Sequence, residues 1–229
     1  MTNIKIDQII RSKRKTLSLE ITSDARLIVR APKTTPLGFI EKLILKKWLW
    51  IQDKQKSVKE KCSQTQPKKF VHGERFLYLG NIYRLYIVDE DTLPLSGEPV
   101  RFDEEFRLSR AYLFKARELF SNWYRKQAYQ KIKERVDWYS HLFRLEYNKF
   151  GITNAQKRWG SCSAKNNLHF SWRLIMAPLS VIDYVVIHEL AHIKEKNHSK
   201  RFWDKVRIMI PDYQESKRWL RENGHLLGI

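Results

Sequence analysis

The 229-residue chain carries 44 Lys and Arg against 25 Asp and Glu, a formal net charge of +19, with 42% hydrophobic and 13% aromatic residues. That apolar content suffices for a buried core and excludes a disordered chain. The basic excess is either a solvated surface or a preference for polyanionic partners such as nucleic acid or nucleotides. Two cysteines, Cys62 and Cys162, are too few for a disulfide framework, and no apolar run is long enough for a signal-peptide core or a membrane span. A cytoplasmic protein with no membrane partner is therefore expected.

Taken in chain order, Thr16 to Ile21 alternates polar and apolar residues and Leu27 to Arg30 follows a turn at Ser23-Asp24, which predicts a β-hairpin. Phe39, Ile40, Leu43, Ile44, Trp48 and Ile51 predict a helix from Pro36 to about Lys56, followed by a polar loop around 63–69. A second hairpin is expected from Phe76–Leu79 and Tyr83–Val88 around Gly80-Asn81. Arg110 to Phe143 reads as one or two long amphipathic helices with their charges in solvent. Alternation at Phe150 and Ile152 and again at Leu168 and Phe170, with a turn at Lys165-Asn166-Asn167, predicts a sheet ahead of the next helix. Tyr213 to Leu220 is a closing helix ended by Gly224.

The segment Val185-Val186-Ile187-His188-Glu189-Leu190-Ala191-His192 carries the chemistry. On a helix, His188 and His192 stack one turn apart on one face, within reach of a single ion, and Glu189 lies about 100° further round, beside the ion rather than on it. Two neutral nitrogen ligands, an open position and an adjacent base are what a hydrolytic zinc site requires. Pro178, Ser180 as cap and Asp183 as the acid of a capping box place the motif in mid-helix. The nearest third ligand is His198. It lies about 120° off the ligand face of an unbroken helix, so the helix has to end first. Asn197 can adopt the left-handed conformation that terminates it, and Ser199 can cap a new helix through Lys200-Arg201-Phe202-Trp203.

With Arg158-Trp159-Gly160-Ser161-Cys162-Ser163, Trp172-Arg173-Leu174, Pro178, Asn197-His198-Ser199 and Phe202-Trp203, this motif resembles the YgjP-like metal-dependent hydrolases, relatives of the SprT-like and WLM zinc proteases in the zincin group. Arg11-Ser12-Lys13-Arg14-Lys15, Val29-Arg30-Ala31-Pro32 and Trp50-Ile51 extend the likeness over nearly the whole chain. The resemblance implies one zinc ion on His188, His192 and His198, with Glu189 as general base. It also implies an α+β fold: a β-rich N-terminal region with one helix over 1–108, then a zincin-like domain over 109–229 whose motif helix packs on a small antiparallel sheet. Metzincins place a glycine three residues after the second motif histidine. Here that residue is Glu195, so the site is read as zincin-like without the metzincin turn.

Arg158, Trp159, Ser161, Arg173 and Tyr184 are the candidate substrate contacts, Arg158, Arg173 and Tyr184 as electrophilic helpers. A strand at Trp159-Gly160-Ser161-Cys162 can pair its edge with an extended peptide, although Trp159 and Cys162 also suit a core. A Cys162–His169 nucleophile pair has little support. The expected function is a zinc metallopeptidase acting on peptide or protein. The alternatives are a uridine triphosphate pyrophosphatase, as has been proposed for relatives of this family, and a DNA-associated protease or nucleic-acid-binding protein of SprT-like type.

Overall fold

A computed structural model describes residues 6–22, 24–64, 66–89 and 99–229, excepting the side chains of 61–64. Ser23 of the first expected turn and the side chain of Cys62 fall outside that set. The chain divides into two units, Met1–Gln66 and Pro67–Ile229.

In the first unit, β2 (Ser18–Ile21) and β3 (Leu27–Pro32) form the expected antiparallel hairpin. A strand that was not anticipated, β1 (Gln8–Ser12), joins β3 in parallel and gives the order β1-β3-β2. Leu27, Val29 and Ala31 alternate onto one buried face and pack with Ile40, Ile44 and Ile51. The predicted single helix is two, α1 (Leu37–Lys46) and α2 (Trp48–Gln64), separated at Lys47. The second runs through part of the expected loop.

In the second unit, β4 (Arg75–Tyr78) and β5 (Asn81–Val88) form the second hairpin, and β6 (Val100–Asp103) and β7 (Glu105–Ser109) complete a sheet of order β4-β5-β7-β6. A 3-10 segment, Arg110–Lys115, leads into α3 (Ala116–Leu142). Phe120, Trp123, Tyr124, Ala128, Ile132 and Val136 form its buried stripe at helical spacing. Phe76, Leu85, Phe106 and Leu108 of the sheet share that core, and the Tyr124 hydroxyl donates to the Leu77 carbonyl at 2.7 Å. The division expected at 108/109 is therefore not where the contacts separate: strands 75–109 bury their apolar face against α3, and the break falls at 66/67.

A second small sheet follows. β8 (Phe150–Thr153) pairs in parallel with β10 (Leu168–Ser171), and β10 pairs antiparallel with β9 (Gly160–Cys162), so β9 is an edge. The sheet is mixed, not antiparallel as expected, because the segment joining β8 to β9 crosses to the far side of β10.

Then come α4 (Leu179–Ala191), α5 (Lys200–Met209) and α6 (Tyr213–Asn223), with Gly224 as the C-cap of α6. α4 is buried nearly all round, from Val181 to Ala191 apart from His188, as a helix with apolar residues on every face must be. The β4–β5 turn holds its approach: Leu79 and Gly80 donate to the carbonyls of Ile175 and Met176. Gly80 has φ +82°, and a Cβ there would lie 2.8 Å from Pro178, so both the turn and the close approach require glycine. Among the described residues no helix is long and apolar enough to cross a membrane.

Candidate metal centre

The motif helix ends earlier than expected. α4 stops at Ala191 and His192 is its C-cap, so the motif occupies the last turns and not mid-helix. The capping box does not form. Pro178 is the N-cap, without a side-chain bond, and Asp183 instead accepts from Arg135 Nε at 2.6 Å and Nη2 at 2.9 Å. This bidentate pair, about 12% exposed on each side, ties α3 to α4 and is the exception to the solvent-facing charges expected of α3.

After His192 the chain turns through bonds from Ile193 to the Leu190 carbonyl and from Lys194 and Glu195 to that of Ala191. Asn197 is not among the residues with positive φ, so the left-handed terminator is not used. Glu195, which replaces the metzincin glycine, also lies outside that set; its carbonyl faces His192 Nδ1 at 2.9 Å. A carbonyl only accepts, so Nδ1 carries the proton and Nε2 keeps its lone pair for a ligand role. Ser199 caps α5 as expected, its hydroxyl accepting from the Phe202 amide.

That turn brings the third imidazole back. One nitrogen from each of His188, His192 and His198 lies within 4.8 Å of the others, and the Nε2 atoms of His188 and His198 are 2.9 Å apart. Phe202, fully buried, lies under all three rings with centroids 4.9, 4.5 and 4.8 Å away. Trp203 stacks on His198. His188 Nδ1 is buried without a hydrogen-bond partner, so packing holds that ring. Burial, the two other imidazoles and Lys217 push His188 down to about 3, and burial lowers His192. Three imidazoles with converging nitrogens, two of them with protonation disfavoured by burial, fit a metal ion.

Glu189 is 5% exposed, and burial pushes its carboxyl up to about 7 against a smaller opposing pull from Arg158. It faces a cavity of about 250 Å³ formed with Trp159, Gly160, Tyr184, His188, Lys217 and Leu220. Gly160 of β9 abuts the carboxylate: a Cβ there would lie 2.6 Å from Glu189 Cγ and Oε1. Tyr184, pushed up to about 12 mainly by burial, keeps its phenolic proton and meets His188 edge-on.

Of the candidate substrate residues, Trp159 and Tyr184 line the cavity, whereas Arg158 is exposed and reaches Glu189 only through its charge. Ser161 lies opposite His169 in the β9–β10 pair, outside the lining. Arg173 is engaged elsewhere, donating to Asn154 and lying over the Trp172 ring. No Cys162–His169 pair forms: Leu168 is opposite Cys162, the His169 ring lies over Gly151, and burial raises the thiol. Sequence reasoning missed Lys217. It shares one face of α6 with Tyr213 and Leu220 at i, i+4 and i+7, a placement that by itself does not set it apart from the other lysines of the chain.

A family model, YgjP-like, metallopeptidase domain, matches residues 15–223. The chain belongs to that family. Its members are metallopeptidase-type hydrolases, which implies an enzyme with a bound metal, and the three histidines are the group among the described residues that could hold one. A UTP pyrophosphatase of Escherichia coli strain K12 is 30% identical over 90 residues, 37% of this chain and 54% of that protein, so the match spans about half of the relative's length. No solved structure gives a significant match.

Proposed function

We propose that the chain is a zinc-dependent hydrolase that cleaves peptide bonds. The observation that supports this most strongly is the convergence of three imidazoles, with His188 and His192 held neutral by burial, beside a buried carboxyl pushed up to about 7. His188, His192 and His198 would hold the zinc ion, which would supply the Lewis acid for hydrolysis. Glu189 accepts the proton of the attacking water and hands it to the leaving group, a role for which a value of about 7 is well matched. Tyr184, held protonated, is a donor at the cavity wall. β9 is the free edge of its sheet, and Gly160 lets a backbone approach, so an extended peptide can add along it.

The printed name of the Escherichia coli relative favours a second reading, hydrolysis of uridine triphosphate. A nucleic-acid partner, or a protease working on DNA-bound protein, rests on the +19 charge alone. We place the protein in the cytoplasm.

Turnover of casein or a peptide library by metal-loaded protein, set against turnover of uridine triphosphate, decides between the two reactions. Glu189→Gln should keep about one zinc per chain and lose hydrolysis; activity that survives the change rules out Glu189 as the base. Retention on single-stranded DNA with a steep salt slope would support the nucleic-acid partner.

A further inference from the structure

One cation in the cavity is not explained by metal binding. Lys217 lines it beside His188 and Glu189, and its ammonium lies 4.2 Å from the centre of the Trp203 ring, which fixes the side chain. Trp203 in turn stacks on His198 and Tyr213, so the lysine is anchored to the same aromatic stack as the third ligand. The residue is solvent-exposed at the cavity rim, and among the described residues no salt bridge pairs it with a carboxylate. The remaining side chains of the wall, Trp159, Tyr184, Val185 and Leu220, are aromatic or apolar, and the cavity opens to solvent.

We propose that Lys217 recognises the substrate's negative charge: the cavity takes an oxyanion, a carboxylate or a phosphate, joined to an apolar or aromatic group next to the bond to be cleaved. This rests on the hydrolase reading for the position of that bond.

Tryptophan fluorescence gives a readout independent of turnover, since Trp159 lines the cavity and the Lys217 ammonium lies over Trp203. The probes are uridine triphosphate and N-acetyl-leucyl-phenylalanine with either a free C-terminal carboxylate or an amide. Each is titrated into metal-loaded parent, Lys217→Met and Lys217→Arg, with metal per chain measured for all three. We expect an oxyanion probe to bind the parent, Lys217→Met to weaken it about tenfold or more, and Lys217→Arg to restore most of the loss. Binding of uridine triphosphate alone assigns the anion as phosphate; binding of the free acid and not the amide assigns it as carboxylate. The proposal is overturned if neither oxyanion binds the parent, if Lys217→Met leaves the affinity unchanged, or if it weakens the amide equally. Lysine-dependent binding without hydrolysis would sink the hydrolase reading alone, and hydrolysis without lysine-dependent binding would sink this one alone.

Discussion

Gly160 and Glu189 are in direct apposition: the β9 backbone passes so close to the carboxylate that a Cβ would lie 2.6 Å from its Cγ and Oε1. The atoms in the way belong to a side chain that can turn aside, so Gly160→Ala should displace the Glu189 carboxylate more than it strains the fold. The expected result is a fall in kcat/KM of about tenfold to hundredfold. Metal content and melting temperature, measured on the same sample, should stay close to those of the parent.

The Glu189 value of about 7 has two consequences. In the proposed role as base Glu189 has to be ionised, so kcat is expected to rise with pH and level off. A bound dication lowers the value, placing the half-point of the rate profile at or below about 7.

The second consequence concerns the metal-free protein. A carboxyl raised in the folded state above its ordinary 4.5 stabilises the fold fully below pH 4.5, and that contribution is lost as pH rises through about 7. Glu189→Gln removes it. Denaturant unfolding should show the variant gaining about 3 kcal/mol relative to the parent between those pH values. A flat difference across the range would mean the carboxyl is not perturbed.

Phe202 touches all three imidazoles from below, so it sets their mutual orientation. Phe202→Leu keeps an apolar filler but loses the flat ring, and competition against a chelator should show metal affinity reduced about tenfold or more. Unchanged affinity would show that the ligand geometry is set by the backbone alone.

Arg135 and Asp183 join α3 to the motif helix through two short bonds in a largely buried setting. Asp183→Ala leaves the guanidinium without its partner and should destabilise the protein by about 3 kcal/mol or more, a fall in melting temperature of roughly 6–12 °C in a thermal scan. Replacing the exposed Lys133–Asp137 pair on the same helix should shift it little, since solvent screens that pair.

By itself the sequence determined the local elements and the spacing of the motif histidines. Alternation at residues 18–21 and 27–30, the apolar stripe of α3, the four-residue spacing of His188 and His192, and Ser199 as a cap are all properties of neighbouring residues, and local backbone physics reads them directly. What only the tertiary structure decided depends on partners distant in sequence. Asp183 has two possible roles, and the buried guanidinium of Arg135 outcompetes the helix cap because an unpaired charge there would cost far more than a lost cap. The turn after His192 closes through the Glu195 carbonyl, so no left-handed residue is needed. Strand β1 and the mixed order β8-β10-β9 depend on which edge a strand meets, which side-chain periodicity does not encode. Lys217 reads as one more solvated lysine on an amphipathic helix until α6 packs beside α4 and turns that face toward the histidines.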